Sequence, residues 1–369
     1  MKLNYKDIHK DFKLNDTSFA TASELLAHTA KYSDEIHDFL KDWFSNKEYI
    51  IANTSGSTGA PKAIKLKKKQ LQNSALATGD FFKLKEKTSA LLCLPTAYIA
   101  GKMMLVRALT LGWHIEVGAA DAYPLKENLT SYDFAAMVPL QLENSIDKIY
   151  QIKKLIVGGG AVSNSLQEKL QKISTEVFAT YGMTETITHI AIKKLNNFVP
   201  FQGARVIKQP LQKEYYKTLP NTKIYKDERD CLVIKNTSIS DTIIFTTDVV
   251  ALISDTQFEW LGRFDNVINS GGIKLHPEKI EAELSKIISQ RFFVAGIKDD
   301  KLGEKLVLLI ELADNKAAKL RDKLTDAMKN SKRLSKFEIP REMYFVNRFV
   351  ETDTKKIQRK KTMDLIKGI

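Results

Sequence analysis

Along the first half of the chain, short apolar runs alternate with segments of helical period. The runs cover residues 48–53, 89–95, 113–118, 134–139, 153–159 and 176–182. Between them, residues 101–111 and 163–173 repeat their apolar positions every three to four residues, and Ser163 is placed to cap the second segment. Strand and helix in repetition predict a layered α/β domain built on a largely parallel sheet. From Gly203 to Trp260 the pattern changes to short strands separated by turn residues, as in an antiparallel or barrel-like β subdomain. After Gly262 a new α+β pattern begins, with a helix over 277–288, strands over 292–297 and 305–312, and a helix over 315–330. The boundary is placed at Asp265, giving a large unit over 1–264 and a small one over 265–369.

Length agrees with this division, because 369 residues exceed what one core of roughly 250 to 300 residues holds. The start of the chain lacks a basic stretch followed by an apolar one, and no run of about 18 apolar residues occurs, so a soluble, cytoplasmic protein without a membrane partner is expected. Two cysteines, Cys93 and Cys231, are too few for a disulfide framework or a metal cluster and read as packing residues. His114, His189 and His276 have no metal-ligand spacing and read as structural, with His189 a possible lining of an acyl pocket.

Net charge is +13, and residues 266–369 hold 23 Lys or Arg against 15 Asp or Glu. Such an excess suits nucleic acid or polyanionic small molecules. No helix-turn-helix, zinc-finger or RNA-binding motif accompanies it, so nucleotides are favoured over nucleic acid. The basic run Lys65–Lys69 reads as a solvated face.

The most informative stretch is Thr54-Ser55-Gly56-Ser57-Thr58-Gly59-Ala60-Pro61-Lys62, after a predicted strand. Glycines let the backbone approach phosphate oxygens, hydroxyls and N–H groups donate to them, and Lys62 adds positive charge. The spacing is not that of the Walker loop, because a proline precedes the lysine and a strand-like segment (63–66) follows it.

This loop resembles the signature T-S-G-T-T-G-x-P-K-G of the superfamily of acyl-CoA synthetases, luciferases and peptide-synthetase adenylation domains. Other segments match that superfamily in order. Gly158-Gly159-Gly160-Ala161 is similar to its adenine-contacting turn, and Tyr181-Gly182-Met183-Thr184-Glu185 to Y-G-x-T-E. Thr246-Thr247-Asp248 is similar to the ribose motif T-G-D, and Leu261-Gly262-Arg263-Phe264-Asp265 to the segment entering the hinge. Ser270-Gly271-Gly272-Ile273-Lys274 and Thr354-Lys355-Lys356-Ile357-Gln358-Arg359 complete the series.

The resemblance implies ATP, coenzyme A and Mg²⁺ as co-substrates and cofactor, with a small carboxylic acid as the partner. ATP or AMP would be bound by Thr54, Ser55, Gly56, Ser57, Thr58, Gly59, Gly159, Gly160, Ala161, Tyr181, Gly182, Asp248 and Arg263. Lys62, Thr184, Glu185 and Lys356 would carry the chemistry, with Glu185 holding the metal and Asp265 acting as hinge. The side chains suit these roles: Glu185 offers hard oxygens to Mg²⁺, Asp248 can accept from two ribose hydroxyls, and Arg263 presents a planar fork.

Within the superfamily, the short length and two further segments resemble the o-succinylbenzoate:CoA ligases of menaquinone synthesis. These are Leu94 to Ala108, similar to L-P-x-x-H-I-x-G-x-x-x-x-x-R-A with Tyr98 where many have His, and Val138-Pro139-Leu140-Gln141-Leu142, similar to V-P-T-Q-L. Tyr98, Gly101, Lys102, Gln141, Gly158, Gly271, Gly272 and Lys274 are the candidates for acyl or coenzyme A contacts. A ligase for another aryl or short acyl acid, and an enzyme that loads a carrier protein, are the alternatives.

Overall fold

The computed structural model describes residues 4–31, 33–53, 63–126, 130–197, 214–312, 317–352 and 357–366. Among them, thirteen strands form one large sheet. Its centre is parallel, in the order Glu176–Gly182, Ile152–Val157, Tyr132–Met137, Ser89–Leu92, His114–Val117 and Lys13–Leu14. Apart from Lys13–Leu14, which the pattern did not mark, these are apolar runs of the sequence, and side chains from both of their faces are buried. Phe134, Ala136 and Ile156 face one core together with the helices Lys68–Phe82 and Ile99–Leu111. Ala135, Met137, Leu155 and Val157 face a second core under Asn164–Leu170. A sheet covered on both sides needs near-continuous apolar strands, so the pattern was readable without knowing the fold. Ser163 caps its helix as expected, its Oγ accepting from Leu166 N at 3.2 Å.

The antiparallel region does not stand apart. Strands His189–Lys194, Tyr216–Thr218, Gln257–Arg263, Ile244–Leu252, Cys231–Lys235 and Lys223–Lys226 continue the same sheet beyond Glu176–Gly182. The apolar run near residue 50 also differs from the parallel expectation. Tyr49–Asn53 pairs antiparallel with Ala63–Lys67 in a separate two-stranded sheet, closing with Asn53 opposite Ala63. The phosphate-loop candidates 54–62 lie between these strands and outside the described residues.

The Lys65–Lys69 run is not uniformly solvated. Lys68 is fully buried, and its ammonium donates to Ser45 O at 3.1 Å and Ser45 Oγ at 3.2 Å. It thereby meets the carbonyl of Ser45, the C-terminal cap of helix Asp34–Phe44, where a cation is favoured. Burial pulls its pKa down. Alternation and charge counts carry no signal for such a contact, because it depends on the helix end that tertiary packing brings near.

After residue 265 a second sheet of five strands forms: Ile273–Leu275, Ile268–Ser270, Gly303–Glu311 and Phe292–Asp299, with Glu342–Val346 parallel to Gly303–Glu311. Helices Pro277–Leu284 and Ala317–Lys329 accompany it. Arg359, at the start of helix Arg359–Asp364, ties this unit together. Its Nη1 and Nη2 donate to the two oxygens of Glu281 at 2.7 and 2.8 Å, and Nη1 also donates to Val294 O. Removing one member of such a pair strands the other charge. Glu281→Ala is therefore expected to destabilise the protein by about 3 kcal/mol in denaturant melts, and Glu281→Gln by less.

A second expectation concerns the core. His189 is buried, with Nε2 3.4 Å from Thr78 Oγ1 and Nδ1 3.4 Å from Thr188 Oγ1. Burial, and then the nearby Arg107 charge, hold its pKa well below the usual 6.5. The unfolded chain takes up this proton below about pH 6.5 and the native one does not, so stability falls on acidification. The slope is on the order of 1 kcal/mol per pH unit. His276, lowered by burial, adds to it. Melting curves between pH 7.5 and 5.5 should show a shallower decline in His189→Gln than in the parent.

Candidate active site

Three of the parallel strands end side by side, and the sequence motifs lie where they end. Tyr132–Met137 leads to Val138-Pro139, Ile152–Val157 to Gly158–Ala161, and Glu176–Gly182 to Met183–Glu185. Ligands of open α/β sheets bind at the carboxyl ends of the strands. Gly159 adopts φ +79° and, with Gly160 and Ala161, lies exposed beside Val138 and Pro139. At Gly158 a Cβ would come within 2.6 Å of Thr180 Oγ1, so a side chain there would displace the hydroxyl that donates to Val157 O.

Gly182 is equally constrained: a Cβ there would lie 2.2 Å from Thr188 O. The tight turn that follows presents Thr184, half-buried, and Glu185, exposed. Thr186 Oγ1 accepts from Met183 N at 2.9 Å, and Thr188 N donates to Thr186 O at 2.8 Å. That last bond forces Ile187 to φ +68°, ψ −58°, a strained conformation for a β-branched residue. Backbone strain of this kind costs of order 1–3 kcal/mol and persists where surrounding packing imposes it. The carboxylate of Glu185 has no hydrogen-bond or ion-pair partner among the described residues, which suits a hard cation such as Mg²⁺. Strand Ala63–Lys67 packs near this turn.

Asp248 is the best-defined group. It is only 6% exposed, yet both of its oxygens are engaged. Oδ2 accepts from the Tyr181 hydroxyl at 2.7 Å, and Oδ1 accepts from Trp260 Nε1 at 3.0 Å. Arg263 Nε stands 3.8 Å from Oδ1, and its Nη2 is 4.0 Å from Asp265. Tyr181 packs edge-on against Phe258, and burial followed by the Asp248 charge raises its pKa well above 10. Thus Tyr181 from the parallel half and Asp248, Arg263 and Trp260 from the antiparallel half meet at one carboxylate.

Other candidates fall elsewhere. Gly101 is buried where helix Ile99–Leu111 crosses the preceding loop; a Cβ would lie 2.3 Å from Pro95 O. Gln141 is buried and fully occupied by backbone, donating to Cys93 O and Asp121 O at 2.8 Å and accepting from Val138 N. It fixes the loops at the strand ends. Tyr98 is exposed at the start of its helix. Lys102 leans over Phe39 at 5.8 Å, in a cleft of about 280 Å³ bordered by Glu35, Asp38 and Asp42. Gly271 and Gly272, at φ +59° and +81°, form the two-residue turn of a hairpin, with Lys274 exposed on its second strand. Asp265 is exposed in the short turn between the two sheets. Lys62 and Lys356 lie outside the described residues. On either side of 353–356, Glu351 bridges to Ile357, and Gln358 N donates to Val350 O at 2.8 Å.

Arg107 is a functional candidate that sequence reasoning left within a motif without a role. Its guanidinium is buried, and no carboxylate pairs with it among the described residues. Among the described residues it reaches only Thr78 Oγ1 and Thr188 Oγ1 at 3.4 Å and Met104 S at 3.6 Å. Burial lowers its pKa to about 9. The available signal was an arginine in the middle of the apolar stretch Met103–Leu109 of its helix.

Comparison with known proteins places the chain among ligases. The 2-succinylbenzoate–CoA ligase of Haemophilus influenzae is 26% identical over 276 residues, 70% of this chain and 58% of that protein. The Salmonella typhimurium enzyme of the same name is 25% identical over 325 residues, 84% of this chain and 68% of its own length. The chain therefore spans about three-fifths to two-thirds of these relatives. Among solved structures, an acyl-CoA synthetase (AMP-forming)/AMP-acid ligase II-like protein from Dyadobacter fermentans is 36% identical with a TM-score of 0.57, covering 90% of this chain and 93% of its own. The o-succinylbenzoate CoA synthetase of Bacillus subtilis, in complex with its acyl-adenylate intermediate, has a TM-score of 0.69 at 22% identity, covering 84% of this chain and 68% of that one. The family described as AMP-binding enzyme matches residues 9–226, more than half of the sequence, and the chain belongs to that family.

Proposed function

We propose that this protein is an AMP-forming acid:CoA ligase whose substrate is o-succinylbenzoate. The observation that carries the reading is the Asp248 carboxylate, held by two donors beside the strand ends that present Glu185 and the glycine turn. In the first half-reaction a substrate carboxylate oxygen attacks the α-phosphorus of ATP, and the bond to pyrophosphate breaks. In the second, the coenzyme A thiol loses its proton, attacks the acyl carbon and expels AMP. No enzyme nucleophile is required; catalysis rests on positioning and on cations where charge develops. Asp248 and Arg263 would hold the ribose and Glu185 the Mg²⁺, with Lys62 and Lys356 facing phosphate. We place the two functional units at 1–264 and 265–369, turning about Asp265.

Arg107 supports a substrate with two carboxylates. A buried guanidinium with only neutral, distant acceptors is costly unless an anion arrives. One carboxylate of o-succinylbenzoate would be activated while the other meets Arg107. The names of the relatives point to the same acid.

ATP–pyrophosphate exchange tests this directly. o-Succinylbenzoate should exceed fatty acids, amino acids and 4-oxo-4-phenylbutyrate, which lacks the ring carboxylate, in kcat/KM. Arg107→Met should cost o-succinylbenzoate about 10²-fold, as expected for losing a charge-assisted pair, and spare the monoacid. Equal losses on both acids would remove Arg107 from the substrate site, and a better fatty or amino acid would overturn the choice of substrate.

Lys356 is expected to serve one half-reaction. Lys356→Ala should slow adenylation by roughly 10²–10³-fold, as for other single preorganised electrostatic groups, and still convert supplied acyl-adenylate to thioester at near the parent rate. Lys355→Ala and Lys360→Ala should change little, because exposed charges in a basic run are screened. Equal loss of both half-reactions in Lys356→Ala would show that its role is different.

A further inference from the structure

No sequence motif singles out Trp260, and its position depends on a local irregularity. Along the pair of strands Ile244–Leu252 and Gln257–Arg263, Val250 lies opposite Trp260, Val249 opposite Gly262 and Asp248 opposite Arg263. Leu261 is left without a partner, so the second strand carries one extra residue. In a regular strand, residues three apart point to opposite faces. The bulge brings Trp260 and Arg263 to the same face, so that both flank Asp248. Gly262, at φ +143°, makes the bulge possible.

An ionised carboxylate has about four acceptor positions. Among the described residues Tyr181 takes one on Oδ2 and Trp260 takes one on Oδ1, which leaves one on each oxygen. That is the number required by two adjacent sugar hydroxyls. We propose that Trp260 is a positioning residue that sets sugar specificity, holding the Asp248 carboxylate so that it reads the 2′- and 3′-hydroxyls of a ribonucleotide together. The inference rests on Asp248 as the ribose acceptor. Without the indole N–H the carboxylate is fixed at one oxygen only, and Arg263, already 3.8 Å from Oδ1, can take the vacated position.

The test compares Kd values for ATP, 2′-deoxy-ATP and 3′-deoxy-ATP in the parent and in Trp260→Phe, measured by calorimetry without an acid substrate. The parent should prefer ATP over each deoxynucleotide by about tenfold or more, the effect of one lost hydrogen bond to a charged group. In Trp260→Phe this preference should shrink at least threefold, because ATP loses more than the deoxynucleotides do; loss of packing alone would weaken all three alike. ATP binding with an unchanged preference overturns the proposal and leaves the ligase reading intact. Failure of the parent to bind any of the three overturns both. If Trp260→Phe does not fold, the emission of the parent decides. Trp43 and Trp113 are buried in the core, so a nucleotide-induced change reports Trp260. A larger change with ATP than with the deoxynucleotides supports the role, and equal changes reject it.

Discussion

A carboxylate almost out of reach of water has to find donors, and at Asp248 those donors come from separate parts of the sheet. Tyr181 ends the last parallel strand, whereas Trp260 belongs to the antiparallel extension. Satisfying one buried charge therefore fixes how the two regions meet. The same requirement fixes the strand that runs out of the large sheet toward Asp265. Burial, register and the route into the second sheet depend on one set of contacts.

Much of the fold was legible because it follows from period and chain order. Apolar runs in the first half marked the parallel strands, and their bounds agree to within a few residues, with Glu176–Gly182 as read. The helix expected over 277–288 ends sooner, at Leu284, although Ile287 and Ile288 continue its apolar spacing. They pack into the core of the five-stranded sheet from the turns beyond the helix. The parallel expectation failed at Tyr49–Asn53 because an apolar run does not specify its partner. That strand pairs with the one arriving after the loop.

The motifs located the site, but not its supports. Hydroxyls, glycines and a few charges at set spacings are properties of the sequence, so Asp248 and Glu185 could be read there. Burial is not. The roles of Lys68 and Arg107 emerge only once packing removes their water, after which Lys68 meets a helix end and Arg107 has no anion among the described residues. Trp260 is hidden for another reason: a bulge changes which face a residue points to, and alternation counted along the strand assigns it wrongly.

Ile187 shows how closely architecture and site are joined. Its side chain is wholly buried in the core, which rewards a large branched residue, while its backbone occupies a conformation that glycine would adopt freely. Glycine would relax the turn and leave a hole beneath it; another large apolar residue would fill the hole and inherit the strain. Neither choice meets both demands, so position 187 is a compromise between a well-filled interior and the presentation of Glu185. Changes that alter its packing, even from distant core positions, reach the carboxylate through two peptide units.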